Sequence, residues 1–320
     1  MIPSVSTRSA PGKVILFGEH SVAYRQPAIA TPIDRTLTLT AALGGNRPVG
    51  QAVDPLLRAA VDTAARFFSL APDRITTSIE SRIPAGCGLG SSAALSVALA
   101  RTLADLSGTE LGPVELLAPA TAIESAFHGT SSGLDVAAVA LGATIWFHRA
   151  PGPHATLLPI GTAFDLVVAL TRHQRSTAEQ IQRVRCRARS RPDGFTREFT
   201  RLGALTRAGR QALHMGDLCA LGRLMDEAHA LLSAIGVSTP ALELAVTTAR
   251  TAGALGAKLT GAGGGGAVIA LAPGNAPAVA AALRFAGCEA FISRVAAARP
   301  SGAKQGAGQA DRVHFVHFEE

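Results

Sequence analysis

The spacing of apolar and polar residues predicts a mixture of strands and helices in the first half of the chain. Strict alternation over residues 36–42 is typical of a half-buried strand, and the apolar run at 14–17 predicts another strand. Amphipathic periodicity predicts a helix over residues 54–68, and the almost wholly apolar stretch 91–106 predicts a buried helix. The same patterns predict strands at 75–83 and 143–148, helices at 114–127 and 134–141, and a hairpin turn at 151–154.

The second half is predicted to be mainly helical before it ends in strands. We expect a strand at 164–171, helices at 176–191, 195–214, 217–235 and 239–252, strands at 255–260 and 267–272, a helix at 275–286 and a strand at 289–295. Because strands and helices are segregated along the chain, an α+β fold is favoured over a doubly wound sheet. We predict an N-terminal domain of residues 1–160, a C-terminal domain of 161–299, and a flexible tail of 300–320, which begins rich in Ala, Gly and Gln.

Composition and charge narrow the class of protein. The 320 residues are 48% hydrophobic and 17% charged, which is ordinary for a compact protein with a substantial core. The formal net charge of +7 fits an acidic small-molecule substrate or a nucleic acid. We favour the substrate, because the densest basic run, residues 183–191, lacks aromatic side chains and its arginines would spread around a solvated helix end. We therefore expect no nucleic-acid partner.

Cysteine usage and targeting features predict a cytoplasmic protein. The four cysteines are scattered without a CxxC pair, which is not the pattern of a zinc site or a disulfide framework. No signal peptide is recognisable, so we expect a reducing cytoplasm. Residues 261–283 carry no charge, but glycine and proline turns divide them, so we expect no membrane span.

Two glycine-rich segments carry the strongest functional pattern. Residues 84–93, PAGCGLGSSA, lead into the predicted buried helix, and residues 258–266, KLTGAGGGG, separate two predicted strands. Glycine allows positive φ angles and close approach to a ligand, and a helix start offers free N–H groups to an anion. The two segments predict a nucleotide phosphate site, although a tight hairpin without a ligand also explains the second. The chain has only three lysines, and two of them, Lys13 and Lys258, flank glycine-rich motifs. Either a compact ammonium group is needed at these places or the placement is a coincidence.

Hydroxyl and carboxyl side chains near these segments are candidates for phosphoryl transfer. Ser91 and Ser92 stand at the predicted start of a helix, where a hydroxyl either caps the helix or binds a Mg²⁺ ion that bridges phosphates. Glu124 lies in an otherwise apolar helix, and Asp135 begins the short helix after the turn HGTSSG. Each carboxylate alone is also typical of an ordinary helix charge. Together, one as metal ligand and one near the acceptor hydroxyl, they form a minimal set for phosphoryl transfer.

Four motifs, in this order, resemble those of the GHMP kinase superfamily, which includes galactokinases, homoserine kinases, mevalonate kinases and phosphomevalonate kinases. They are PGKVILFGEHSV, PAGCGLGSSAA, HGTSSGLD and KLTGAGGGG, and the resemblance spans roughly residues 8–295. Within the superfamily, LFGEHSVAYRQPAIATPI and the segment 225–261 are most similar to mevalonate kinases. Two positions depart from that family: Arg25 stands where Gly is usual, and Val136 stands where Asn is common.

The resemblance implies a fold, a reaction and a set of residue roles. The implied fold is α+β, the GHMP kinase fold with a ribosomal-S5-like N-terminal domain and a ferredoxin-like C-terminal domain. The implied activity is ATP-dependent phosphorylation of the C5 hydroxyl of mevalonate in isoprenoid precursor biosynthesis, with Mg²⁺ as cofactor. The alternative is a related kinase of phosphomevalonate or another hydroxy acid. The implied partners are mevalonate and ATP, and a homodimer stays open.

The roles are carried over by matching positions. They are Asp135 and Lys13 for catalysis; His20, Glu19 and Thr177 for substrate binding; Pro84, Gly86, Gly88, Leu89, Gly90, Ser91, Ser92 and Ala93 for ATP; Ser92 and Glu124 for the metal; and Gly261, Ala262, Gly263 and Gly264 for support of the phosphate loop.

Two other classes of protein compete with an enzyme. A protein of this fold can be a non-catalytic ligand sensor, and a basic S5-like domain can bind RNA. The joint presence of Lys13, Ser92, Glu124 and Asp135 argues against the sensor. The lack of a basic segment with interleaved aromatic residues argues against RNA binding.

Overall fold

Two antiparallel sheets organise the molecule. The structure, a computed structural model of the chain, describes residues 2–44, 54–128, 132–149, 152–171, 177–297 and 313–314. Within this part of the chain, the first sheet has six strands and the second has four. Helices pack against both sheets, as an α+β fold requires.

The first sheet is built around one long strand. β2 (Ala28–Leu43) pairs with β1 (Val5–Phe17) along nearly its whole length. Its other edge is shared, because β3 (Ile75–Ser81) pairs with its second half and β4 (Ile145–His148) with its start. The strands that extend the sheet beyond β4 are β5 (His154–Leu157) and β10 (Val313–His314). The pairing of β4 with β5 confirms the predicted hairpin.

β1 and β2 are much longer than the predicted segments 14–17 and 36–42. Pro11 and Gly12 weaken the strand pattern in β1, and Pro32 does so in β2. The register between β1 and β2 shifts between Pro11 and Gly12, so a local irregularity accommodates residues that a regular ladder disfavours. Pattern alone therefore finds only the regular end of each strand.

A buried helix lies at the centre of the N-terminal half. α2 (Ser91–Ser107) packs on β1 and β2, and three further helices surround it. Its apolar residues, among them Val97, Leu99 and Leu103, are fully buried, which confirms the predicted buried helix. The surrounding helices are α1 (Pro55–Phe67), α3 (Leu117–His128) and α4 (Leu134–Leu141). α3 begins at residue 117, not at the predicted 114.

The C-terminal half has a ferredoxin-like strand order, β7-β8-β6-β9. The strands are β6 (Phe164–Leu170), β7 (Gly256–Thr260), β8 (Ala267–Leu271) and β9 (Glu289–Val295). The helices are α5 (Thr177–Ser190), α6 (Pro192–Met215), α7 (Leu218–Ala234), α8 (Pro240–Thr251) and α9 (Ala276–Phe285). The first and third strands, β6 and β8, are central, and the first crossover carries several helices. The predicted α+β class and two-part fold are confirmed.

The two halves contact each other at several places. Tyr24, in a 3₁₀ turn after β1, stacks on Phe199 of α6 with ring centroids 4.1 Å apart. Along the facing edges of the sheets, the N–H of Asp34 donates to Ser293 Oγ at 3.0 Å. The N–H of Arg294 in turn donates to Asp34 Oδ2 at 2.7 Å. These contacts fix the orientation of the two sheets.

Most of the C-terminal segment lies outside the described residues. Of the tail predicted at 300–320, only the two residues of β10 are described, and they pair with β5. The domain limits at 160 and 299 therefore stay a prediction. In the described part of the chain, no helix has both the length and the apolar character needed to cross a membrane.

Candidate active site

Lys13 and Asp135 meet where β1 passes the start of α4. Nζ of Lys13 lies 3.0 Å from Oδ2 of Asp135 and donates to the carbonyl of Gly88 at 3.2 Å. The backbone N–H of Lys13 also donates to the carbonyl of Leu89 at 2.9 Å. The lysine side chain is 3% exposed, whereas that of Asp135 is 37% exposed. A buried ammonium therefore holds the carboxylate, which remains accessible to a ligand.

α4 presents Asp135 in its first turn. Gly133 at the N-cap adopts a left-handed conformation with φ of 80°, which allows the chain to turn sharply into the helix. The positive potential of a helix N-terminus favours a carboxylate at this place. Residues 129–131 of the preceding turn lie outside the described residues.

The predicted phosphate loop, residues 84–93, leads into α2. Its Gly86, Gly88 and Gly90 all have positive φ angles, of 70, 76 and 76°, which other residues rarely adopt. A Cβ at Gly90 would come within 2.9 Å of Cγ of Lys13, whereas the space at Gly88 is open to 4 Å. The backbone can thus approach an anion closely next to a helix start.

The other predicted residues of this loop have distinct environments. Leu89 and Ala93 are fully buried and anchor the loop to the core. Ser91 and Ser92 form the first helical turn, and Pro84 precedes the three glycines. Both serines are partly buried at the start of α2, and their contact with ATP stays a prediction.

Ser92 and Glu124 meet between α2 and α3. Ser92 Oγ donates to Glu124 Oε1 at 2.9 Å, and Ser96 Oγ donates to Glu124 Oε2 at 3.0 Å. The carboxylate is 3% exposed and so has a fixed orientation. Two hard oxygen donors converge close to the helix start, which fits Mg²⁺, since that ion takes oxygen ligands from one or two carboxylates together with phosphates.

The four-glycine turn between β7 and β8 packs directly on the phosphate loop. A Cβ at Gly266 would lie 3.1 Å from the carbonyl of Cys87, and one at Gly261 would lie 3.7 Å from the carbonyl of Gly88. The first distance is shorter than an ordinary contact, so a side chain at Gly266 would require the phosphate loop to shift, whereas the second is an ordinary contact distance. The structure thus brings together the two glycine-rich segments that the sequence predicted to act jointly.

His20 ties the first motif to the same turn. Its Nε2 lies 2.9 Å from the carbonyl of Ala262, at hydrogen-bond distance. Gly263 packs against the backbone of Val237, and the N–H of Gly264 donates to the carbonyl of Val237. Ala262 therefore faces the N-terminal half, while the next two glycines anchor the turn to its own domain.

Glu19 does not lie at an accessible surface. Its side chain is completely buried and forms an ion pair with Lys258 of β7, whose side chain is also completely buried. No atom of this carboxylate is open to a ligand in the structure. The predicted contact of Glu19 with the substrate is therefore wrong for this structure. The carboxylate instead forms an ion pair with Lys258 inside the interface between the two halves.

A second buried titratable group lies beneath β7. Nδ1 of His229 accepts the N–H of Leu259 at 3.3 Å, and Nε2 lies 3.3 Å from Glu243 Oε1, within ion-pair distance but outside hydrogen-bond geometry. Burial lowers the pKa of His229, and the charge of Glu243 opposes that shift. The imidazole is therefore kept neutral at pH values where a free histidine is partly protonated.

Sequence reasoning missed two contributors to the site: Ser96, which orients Glu124, and Thr260, which forms hydrogen bonds to Ile15 of β1. It noted Lys258 beside a glycine-rich motif but did not predict its ion pair with Glu19. The spacing of Ser92 and Ser96, four residues apart on an apolar helix, places both hydroxyls on one face and was a usable signal. Thr177 begins α5, but its side chain lies outside the described residues, so its substrate contact stays a prediction.

Comparison with known proteins identifies the family. Residues 55–143 match the GHMP kinases N terminal domain, and residues 210–287 match the GHMP kinases C terminal domain. The chain is 34% identical to the mevalonate kinase of Thermococcus onnurineus, over 90% of this chain and 95% of that protein. The chain belongs to the mevalonate kinase family of the GHMP kinases.

Further matches of this GHMP kinase agree with that assignment. It is 37% identical to the mevalonate kinase of Methanothermobacter thermautotrophicus, over 87% of this chain and 94% of that protein. Its fold matches the crystal structure of the L. major mevalonate kinase in complex with R-mevalonate, with a TM-score of 0.83 and 30% identity over 94% of this chain and 99% of that chain. The resemblance inferred from the motifs is confirmed.

The structure shows the environment of Arg25 and Val136, the two positions at which the chain departs from the family pattern. Arg25 adopts a left-handed backbone with φ of 64°, the conformation for which Gly is the usual residue. It ends the 3₁₀ turn, where its N–H bonds the carbonyl of Ser21. Val136 is fully buried in α4, next to Asp135, so an apolar residue fits the core at this position.

Proposed function

We propose that this GHMP kinase transfers the γ-phosphoryl group of ATP to the C5 hydroxyl of mevalonate and forms 5-phosphomevalonate. The observation that carries the proposal is the contact of buried Lys13 with half-exposed Asp135 beside the two glycine loops. The names of the relatives support mevalonate as the acceptor, as does the R-mevalonate in the matched L. major structure.

On the nucleotide side, the backbone of the phosphate loop and the start of α2 bind the phosphates. Gly88 leaves open space, so the phosphate oxygens can reach the N–H groups of the helix start. Lys13, already donating to the Gly88 carbonyl, brings a positive charge to the same place. The loop and the lysine together hold the reacting phosphorus near Asp135.

Ser92 and Glu124 would hold Mg²⁺ on this side. Bound there, the ion would offset the charge of the β- and γ-phosphates. Ser96 keeps Glu124 oriented through its second oxygen. In the described residues, no cluster of three or more His, Cys, Asp or Glu side chains could hold an ion, which fits a metal bound largely through the phosphates of its nucleotide.

On the acceptor side, Asp135 orients the alcohol and takes its proton. The alcohol oxygen forms a bond to the γ-phosphorus, the bond from that phosphorus to the bridging oxygen of ADP breaks, and the proton passes to the carboxylate. Lys13 stays within 3.0 Å of Asp135 and stabilises the negative charge on the transferring group. Ala262 and His20 enclose the acceptor on the side of the four-glycine turn.

The test is acceptor-dependent release of ADP. Mevalonate, phosphomevalonate, galactose and homoserine are compared at equal concentration, with ATP and Mg²⁺ in excess. We expect mevalonate to give the highest kcat/KM. A preference for any of the other three contradicts the substrate, and no acceptor-dependent ADP release with any of them favours a ligand sensor over a kinase.

A further inference from the structure

The Glu19–Lys258 pair is the most deeply buried charge pair of the described residues. Both side chains have no exposed surface, and Nζ of Lys258 contacts Glu19 Oε1 and donates to the carbonyl of Leu259 at 2.8 Å. Burial raises the pKa of Glu19 and lowers that of Lys258, while the contact between the two opposes both shifts. Neither group is used in the phosphoryl transfer described above.

A buried ion pair usually contributes little net stability to a fold. Removing two charges from water costs free energy that their attraction only partly returns, and well-packed apolar residues often serve the fold as well. A buried ion pair does, however, demand one geometry of its two partners. What Glu19 and Lys258 fix is the position of the segment after β1 against β7, across the boundary between the two halves.

Two further contacts lie on either side of this pair. Thr260 Oγ1 accepts the N–H of Ile15 at 2.9 Å and donates to the carbonyl of Ile15 at 3.0 Å. His20 reaches the carbonyl of Ala262 at 2.9 Å. Residues 15–20 are thus joined to residues 258–262 at three points, of which only the ion pair consists of charged groups.

The same two segments border the reacting groups. Lys13 belongs to β1, two residues before the first of these contacts, and its positive charge opposes part of the rise that burial causes in the pKa of Glu19. On the other side, the turn that starts at Gly261 packs on the phosphate loop at Gly88. A shift of β7 relative to β1 would therefore move His20 and Ala262 relative to Asp135.

We propose that Glu19 and Lys258 form a positioning pair that fixes His20 and the four-glycine turn around the acceptor of the reaction. The proposal rests on the proposed function only in naming the acceptor side. The nucleotide is bound chiefly by the phosphate loop and α2, which belong to one half of the molecule, so loss of the pair affects binding of the acceptor much more than binding of ATP.

The experiment compares Glu19→Gln, Lys258→Met and the double variant in the full chain. Each single change leaves one buried charge without its partner, so we expect Tm to fall by roughly 10 °C. The double variant buries a neutral pair and regains most of that loss. Its KM for the acceptor, however, stays raised by about tenfold or more while its KM for ATP changes by less than about twofold, because the neutral pair no longer fixes the geometry.

Ser293→Ala is the matched control. Ser293 is buried and accepts a hydrogen bond from Asp34 across the same two halves, and it lies in β9, at the opposite edge of the second sheet from β7. We expect it to leave both KM values unchanged. Hydrogen exchange over residues 260–266 gives a readout without activity, and we expect faster exchange there in the double variant than in Ser293→Ala.

Several results would overturn the proposal. If the double variant regains both Tm and the wild-type KM for the acceptor, the pair is only structural. The same conclusion follows if the double variant does not fold. If the wild-type enzyme prefers an acceptor other than mevalonate, the substrate assignment fails, and the KM comparison is made with that acceptor. The two failures are therefore distinguishable.

Discussion

Two lysine–carboxylate pairs lie next to glycine-rich segments in the described residues, and their acids differ in exposure. In the Lys13–Asp135 pair the lysine is buried but 37% of the acid side chain is exposed. In the Lys258–Glu19 pair neither side chain has exposed surface. Both lysines are therefore buried, and the acid is partly exposed in the first pair and fully buried in the second.

The difference in exposure of the acid assigns a chemical role to the first pair and a positioning role to the second. A carboxylate that reaches the surface can meet a hydroxyl group and exchange a proton, whereas an enclosed carboxylate can act only through the groups packed around it. Both pairs join a lysine to a carboxylate beside a glycine-rich segment, although the acid is Asp135 in the first pair and Glu19 in the second. The comparison therefore predicts that changes at the first pair affect the rate, and that changes at the second affect stability and the fit of the acceptor.

The largest expected effect is loss of rate in Asp135→Asn. This nearly isosteric change removes the proton acceptor, and general-base assistance is typically worth about 10²–10⁴-fold, so kcat should fall by at least about 10². Because the phosphate loop is untouched, affinity for ATP should change little. Single-turnover and steady-state ADP release measure the effect, and a near-normal kcat would remove Asp135 from the chemistry.

Exchange of each lysine for methionine tests the comparison itself. Lys258→Met leaves a carboxylate buried without a partner and should lower the free energy of unfolding by about 3–5 kcal/mol. Lys13→Met leaves a carboxylate that reaches water, so the loss of stability should be about 1 kcal/mol, with a large loss of kcat. Urea denaturation and ADP release measure the two quantities. Equal losses of stability would contradict the distinction.

The sequence predicts the first pair better than the second. Motif order placed Lys13, Asp135 and both glycine loops in one site, and their contacts agree with this. Glu19 is buried because the segment after β1 packs against β7, which is distant in sequence. No local sequence pattern predicts the packing of these two segments. Sequence periodicity likewise missed the irregular halves of β1 and β2, because register shifts and prolines there are tolerated only through pairing with a neighbouring strand.

A smaller effect is expected at the carboxylate that would hold the metal. Glu124→Gln keeps the shape of the side chain but removes its charge, so the Mg²⁺ concentration for half-maximal rate should rise by about tenfold or more. Ser96→Ala, which removes only the hydrogen bond to the second oxygen, is the control and should raise it less. An unchanged Mg²⁺ profile in a folded, active Glu124→Gln variant would exclude Glu124 from the site.

The smallest effect concerns the histidine behind the buried pair. Because burial lowers the pKa of His229 below the unfolded value of 6.5, the unfolded chain takes up a proton as the pH falls through about 6.5, whereas the folded chain does not. The contribution to stability is therefore complete above pH 6.5 and is lost progressively as the pH falls toward the folded pKa.

His229→Gln removes this titration and keeps an acceptor for the N–H of Leu259. We expect the free energy of unfolding, measured in urea from pH 7.5 to 5.5, to depend less on pH in this variant than in the wild type. Burial also lowers the pKa of His148, so part of the slope persists in the variant and the difference between the two slopes is the measured quantity. The positive charge of Lys258 also lowers the pKa of His229. If the buried pair and the histidine share one electrostatic environment, the difference in slope caused by His229→Gln should therefore be smaller in a Lys258→Met background. Identical slopes in wild type and His229→Gln would show that the residue beneath β7 plays no part in stability at acid pH.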